Sequence, residues 1–307
     1  MTLRRREFLG VCALAGLSAC GGRASRGDIL SWGDEGLRDG SFLRPRAIGL
    51  HDGKVYVIDT TGRVQVFSES GEFLAMWSTP DAKTGTPTAI GFRDGRVIIP
   101  DTHYSRILEY SPEGKLLEQW GSYGSGPDQF IYPTGVAFGP GGSYYFSEYG
   151  ENAERVHVFD ATRKFARQWG EHGDQPGQFN RAMAIATNTV NGLVYVSDTA
   201  NHRVQCFTPE GTLVRIIGEP GTGPGQLKFP YAMALGPDGT CYACEYGNHR
   251  VSRFDLEGKL ISTFGGPGRG LGEFNDPRGV AIAADGTVYV ADTENHRIQR
   301  IPAGAFA

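Results

Sequence analysis

A chain of 307 residues with 39% hydrophobic, 11% aromatic and 21% charged residues is too apolar to be disordered. Its formal net charge is −4, with no basic block beyond the first residues and no long uninterrupted apolar stretch; this argues against nucleic-acid binding through a broad basic patch and against a multi-span membrane core. The 45 glycines follow no Gly-X-Y period, so they point to many tight turns rather than to a collagen-like rod.

In chain order, the first feature is a basic head, Arg4-Arg5-Arg6-Glu7-Phe8-Leu9, followed by a short apolar run and Leu17-Ser18-Ala19-Cys20. The run is too short to span a bilayer and reads as a secretory signal. Arg5 and Arg6 resemble a twin-arginine export signal, and the residues before Cys20 resemble a bacterial lipobox, in which Cys20 becomes the lipidated first residue. The expectation is an export signal over 1–19, a lipidated cysteine with a Gly-rich tether over 20–27, and an exported bacterial lipoprotein on the periplasmic or cell-envelope face of a membrane. Cleavage before Cys20 would remove three arginines and one glutamate and take the net charge from −4 to −6.

From residue 28 the chain repeats one unit. An acidic residue closes a short alternating run at Asp59, Asp101, Glu148, Asp198, Glu245 and Asp292, at spacings of 42, 47, 50, 47 and 47 residues. An arginine follows each: Arg63, Arg106, Arg155, Arg203, Arg250 and Arg297. Each unit reads as four strands, a to d. Strand a is typified by Pro133 to Phe138 and strand b by Val55 to Asp59; strand c begins at the arginine, and strand d ends in an aromatic-Gly pair such as Trp120-Gly121. Turn glycines lie between a and b (Gly53, Gly95, Gly142, Gly192, Gly239, Gly286) and between c and d (Gly71, Gly114, Gly211, Gly258). Four short strands per repeat of this length predict an all-β fold, a six-bladed β-propeller of four-stranded antiparallel blades over 28–302 with a tail at 303–307. The last unit lacks strand d, and Ile29 to Gly33 carry its pattern, so the N-terminal strand is expected to complete the last blade.

Asp292 to Arg297, Asp198 to Arg203 and Glu245 to Arg250 contain an Asn-His-Arg core, and Gly223 to Leu227 and Pro176 to Phe179 contain a Gly-Gln-Phe/Leu linker. On these residues the chain resembles the NHL repeat family. The resemblance implies the propeller fold and little about function, since the family's functions are diverse.

A feature repeated six times is structural before it is catalytic. The carboxylates closing strand b are therefore expected to hold backbone amides of the b–c turn or to meet an arginine. His202, His249 and His296 share one position in three blades, too far apart around a ring to share a metal. Cys241 and Cys244 fall at i and i+3 of a strand, on opposite faces, and read with Cys206 as small buried hydrophobes. Function would be written where the repeat varies: at the start of strand a, in Arg46, Thr88, Thr134, Arg181, Tyr231 and Arg278. Three arginines around the channel mouth could grip a small anionic ligand through their planar forks, or belong to a self-neutralised polar network. Glu148 and Glu245, each followed by Tyr-Gly, could reach the same mouth, and with Tyr149 and Tyr246 they are the weak catalytic candidates.

Resemblance to a zinc-dependent peptidyl-α-hydroxyglycine amidating lyase of this repeat type implies histidines at the starts of strand a, which are Arg, Thr and Tyr here. Six-bladed sugar-lactone hydrolases and strictosidine-synthase-like proteins imply a carboxylate and amide cluster for calcium, which cannot be assembled from the sequence. No cofactor and no metal ligand set are predicted, calcium or zinc remaining possible. The expected role is a binding or scaffold module taking an envelope protein or a small anionic ligand, with no nucleic-acid partner. The alternative is a hydrolase or lyase, lactonase-like or amidating-lyase-like, acting on a small anionic substrate at the mouth.

Overall fold

The computed structural model describes residues 28–150 and 153–307. Cys20, Arg5 and Arg6 lie outside them. Six four-stranded antiparallel sheets follow one another as blades 1 to 6, at 45–78, 91–120, 132–169, 182–217, 230–265 and 279–301. In blade 1, strands a to d are Pro45–His51, Lys54–Asp59, Arg63–Ser68 and Phe73–Ser78. Blade 6 takes its outer strand from the other end of the chain: Leu30–Trp32 pairs antiparallel with Arg297–Ile301, Leu30 opposite Arg300. The last residues form a 3-10 turn, Ala303–Phe306, that seats Phe306, fully buried, beside Tyr242 and Phe264.

The alternation within strand b explains the ring. Successive side chains point to opposite faces of a sheet, and here both faces are covered. Val55 and Val57 enter the core shared with blade 6, while Tyr56 and Ile58 enter the core shared with blade 2. Six such cores fill the six gaps between neighbouring blades. The cysteines obey the same rule. Cys241 joins Cys206 between blades 4 and 5, Cys244 lies between blades 5 and 6, and all three are free thiols. Burial pushes Cys206 up to about 12 and holds Cys241 and Cys244 well above the usual thiol range, so none is a reactive thiolate.

The repeated acids meet the repeated arginines in all six blades, as in Asp198 with Arg203 (2.8 Å) and Asp292 with Arg297 (2.7 Å). Their second partner differs from the expectation. Among the described residues only the blade-1 acid takes an amide of the b–c turn, from Thr61 at 2.9 Å. In five blades, blade 1 included, the acid accepts an amide of the linker that leads into strand a, from Leu43, Ile131, Asn180, Lys228 and Asn275. One carboxylate thus ties a blade's linker, strand b and strand c together. Glu148 and Glu245 belong to this set. Both are fully buried on Arg155 and Arg250, and neither meets the mouth arginines.

A second tie crosses between blades. The residue before the strand-c arginine accepts an amide from the next blade: His202 Nδ1 from Phe229 (2.9 Å), His249 Nδ1 from Asp276 (3.0 Å) and His296 Nδ1 from Arg44 (3.2 Å). In blade 3 the position is Glu154, whose carboxylate accepts the amide of Arg181 at 2.9 Å. All four donors have left-handed backbone, φ 49 to 60°, a conformation that needs such external support in non-glycine residues.

Candidate functional site

At the start of strand a the sheet carries a bulge in which two residues face one. The register skips from Pro45 to Ala47, Pro133 to Gly135, Ala182 to Ala184 and Pro230 to Ala232. A bulge releases one side chain from the pleat and re-aims it. The released residues are Arg46, Thr134, Met183 and Tyr231, with Arg278 and Thr88 at the matching places of blades 6 and 2. Arg181 is therefore not the blade-4 counterpart of Arg46, because that place is Met183. Arg181 sits two residues earlier, aligned with Arg44, Phe229 and Asp276.

The structure nonetheless brings Arg46, Arg181, Arg278 and Tyr231 together in one cup of about 380 Å³ at the channel mouth, with Tyr149, Tyr246, His103 and Phe229. Thr134 is not part of it; its buried hydroxyl donates to the Ala182 carbonyl at 2.5 Å. Thr88 donates to the Thr134 carbonyl at 3.1 Å and faces a smaller void of about 90 Å³ beneath the cup. Every blade contributes an apolar side chain to that void, Ile48, Ile90, Val136, Ile185, Met233 and Val280 among them, and Arg46, Tyr231 and Arg278 line it as well. The void and the cup share Arg46, Tyr231 and Arg278.

Two chains of contact line the cup. Blades 5, 6 and 1 supply the first. Arg46 Nη2 donates to the Tyr231 hydroxyl at 3.2 Å, and the Arg278 guanidinium lies 5.0 Å from the Tyr231 ring and 4.9 Å from the Tyr246 ring. Blades 2, 3 and 4 supply the second. His103 packs on Tyr132, Tyr132 on Tyr149 (both 5.4 Å between ring centroids), and the Arg181 guanidinium lies 5.1 Å from the Tyr149 ring. Cation–π contact keeps Arg278 and Arg181 beside their rings without neutralising them, and hydrogen bonds to neutral hydroxyls do the same for Arg46.

The charge is unbalanced. Among the described residues no carboxylate lines the cup. Among the described residues none of the three arginines has an ion-pair partner, whereas all six repeat arginines do. Arg46 Nε and Arg278 Nε are buried with no hydrogen-bond partner. Glu154 lies behind Arg181 but spends its carboxylate on the Arg181 and Ala182 amides, and burial pushes its pKa up. Burial, and then the charge of Arg46, hold His103 below the ordinary imidazole range, so it is neutral near pH 7. Burial raises the Tyr149 phenol against the opposing pull of Arg181, so it remains a hydrogen-bond donor.

His103 and Phe229 were not among the expected residues. One signal was in the sequence: the residue after the strand-b acid is threonine in four blades (Thr60, Thr102, Thr199, Thr293) and tyrosine in two (Tyr149, Tyr246). Thr199 and Thr293 bond the next blade's proline carbonyl; the two tyrosines turn to the cup. Among the described residues no three His, Cys, Asp or Glu side chains converge. The described residues of the cup, with one histidine and no carboxylate, do not fit the zinc or calcium sets of the enzymes the repeats resemble.

Comparison with known proteins agrees with this architecture. The NHL repeat profile matches residues 179–207 and 274–301. No curated protein matches the chain. Among solved structures, a streptogramin B lyase is 16% identical over 89% of this chain and 97% of its own, with a TM-score of 0.62. The virginiamycin B lyase of Staphylococcus aureus is 14% identical over 89% and 98%, TM-score 0.62. An auxiliary nutrient binding protein of Bacteroides thetaiotaomicron is 14% identical over 84% and 69%, TM-score 0.64. These similarities are of fold: the chain is an all-β, six-bladed propeller that carries NHL repeats.

Proposed function

We propose that this protein is an exported, lipid-anchored propeller that binds a small anionic ligand in the cup at its channel mouth. One observation carries the reading: among the described residues three arginines share a cup that no carboxylate lines, and two of them have buried Nε groups without a partner. Burying such donors unpaired costs roughly 1–3 kcal/mol each, and an anion in the cup would recover that cost. The volume suits a small organic molecule. Titration calorimetry with carboxylates and phosphates tests it: Arg278→Gln and Arg46→Gln should each weaken binding at least tenfold, and anion affinity unchanged in both would refute the site.

Export and anchoring rest on Arg5, Arg6 and Cys20. Cys20→Ser should release the protein from membranes into the soluble envelope fraction, and undiminished membrane retention would refute the anchor.

A second reading, a lyase on a small anionic substrate, is supported by His103. A neutral imidazole in the same cup as Tyr149 and the arginines is a candidate general base. The readings separate on His103→Ala: the lyase reading requires turnover that this variant abolishes, and the binding reading requires affinity without turnover.

A further inference from the structure

The two lines of contact around the cup belong to different halves of the ring, and each ends in cationic groups of its own. Arg46 and Arg278 are joined through Tyr231 in the half formed by blades 5, 6 and 1. Arg181 stands apart from them on Tyr149, in the half formed by blades 2, 3 and 4. Residues of both halves, Arg46, Tyr231 and Arg278 on one side and His103, Tyr149 and Arg181 on the other, line the same cup. A single compact anion on Arg46 and Arg278 would leave Arg181 without a counter-charge among the described residues and most of the 380 Å³ cup unfilled. We infer that the ligand is an elongated organic dianion, with one acidic group on Arg46 and Arg278 and the second on Arg181, spanning the cup between the two halves of the ring.

The inference rests on the anion-binding reading and deepens it. A charge-assisted hydrogen bond contributes roughly 1.5–3 kcal/mol, so the second acidic group should add at least about tenfold in affinity. The test is calorimetry on the purified protein with α,ω-dicarboxylates of graded length, monocarboxylates of equal carbon number, and inorganic phosphate. The expected result is one dicarboxylate length that binds at least tenfold tighter than its monocarboxylate. Arg181→Gln should erase that advantage while leaving monocarboxylate affinity within about twofold, and Arg181→Lys should restore part of it; thermal denaturation of each variant verifies folding. Equal binding of mono- and dicarboxylates at every length, tighter binding of phosphate than of any dicarboxylate, or an equal loss for both classes in Arg181→Gln would overturn the dianion while leaving an anion site standing. If none of these anions binds, the anion-binding reading falls as well.

Discussion

Asp101 shows how one missing donor changes a repeated residue. In the other five blades the equivalent carboxylate accepts a linker amide. In blade 2 Asp101 keeps Arg106 at 2.8 Å, but its Oδ1 is buried without a partner, and burial pushes its pKa up to about 6. A carboxyl raised in the folded state holds its proton while the unfolded chain ionises, so its contribution to stability falls as pH rises from about 4 to about 6. The stability of wild type relative to Asp101→Asn, measured by urea unfolding, should therefore drop by about 2 kcal/mol across that window and stay flat above it. His103 has the opposite sense. Burial and Arg46 disfavour its charged form, and a bound anion would favour it, so binding should take up a proton. With a sulfonate probe that stays ionised, affinity should rise several-fold as pH falls from neutrality toward the lowered range of His103, and His103→Gln should flatten that profile.

Glycine at the turn between strands c and d serves two conditions at once. Gly71 and Gly114 have φ of 87°, and a Cβ there would fall 2.7 and 2.5 Å from the Trp32 and Trp77 rings of the neighbouring blades. Gly114→Ala should cost about 1–3 kcal/mol, since it combines left-handed strain with displacement of a packed indole; chemical denaturation monitored by tryptophan fluorescence would measure it. Blade 3 has Arg163 there, also left-handed at φ 66°, and instead of receiving a tryptophan it ion-pairs with Glu109 and Glu118 of blade 2. At this scale the sequence was legible wherever a turn or an alternation imposes a residue type. The a–b and c–d glycines, the acid–arginine pairs and the opposite faces of Cys241 and Cys244 could all be read in advance. The bulge could not, because it inserts a residue without a composition of its own. Proline marks the start of strand a in five blades, but blade 4 has Ala182; without the proline to fix the register, the repeat pattern puts Arg181 at the place that Met183 occupies. The loop before strand a of blade 2 lacks the Gly-Gln-Phe linker, and nothing in it announces that Gly85 leaves room for the His103 ring.

The ring as a whole depends on a three-residue strand. Leu30–Trp32 supplies the only partner for the outer edge of Arg297–Ile301 among the described residues, and Trp32 packs on Phe67 and Tyr289 across the blade 6–blade 1 gap. Removing residues 28–33 should lower stability by at least about 3 kcal/mol, the order of a buried aromatic truncation. It should also raise aggregation, because it bares a strand edge; calorimetry and light scattering would check both. Six-fold counting predicted the number of blades, but the cup was less visible, because its residues come from every blade and no segment holds more than two neighbours of the set.

The pairing of Leu30 with Arg300 also sets an order in time. On a ribosome adding roughly 5–20 residues per second, the first strand waits some 15–50 s for its partner to be made. Five blades can form and stack during that interval, each with an outer strand of its own, while the sixth must borrow one from the start of the chain. The ring can therefore close only after its last repeat has been synthesised, and until then the nascent propeller is an open arc with the first strand hanging free at one end.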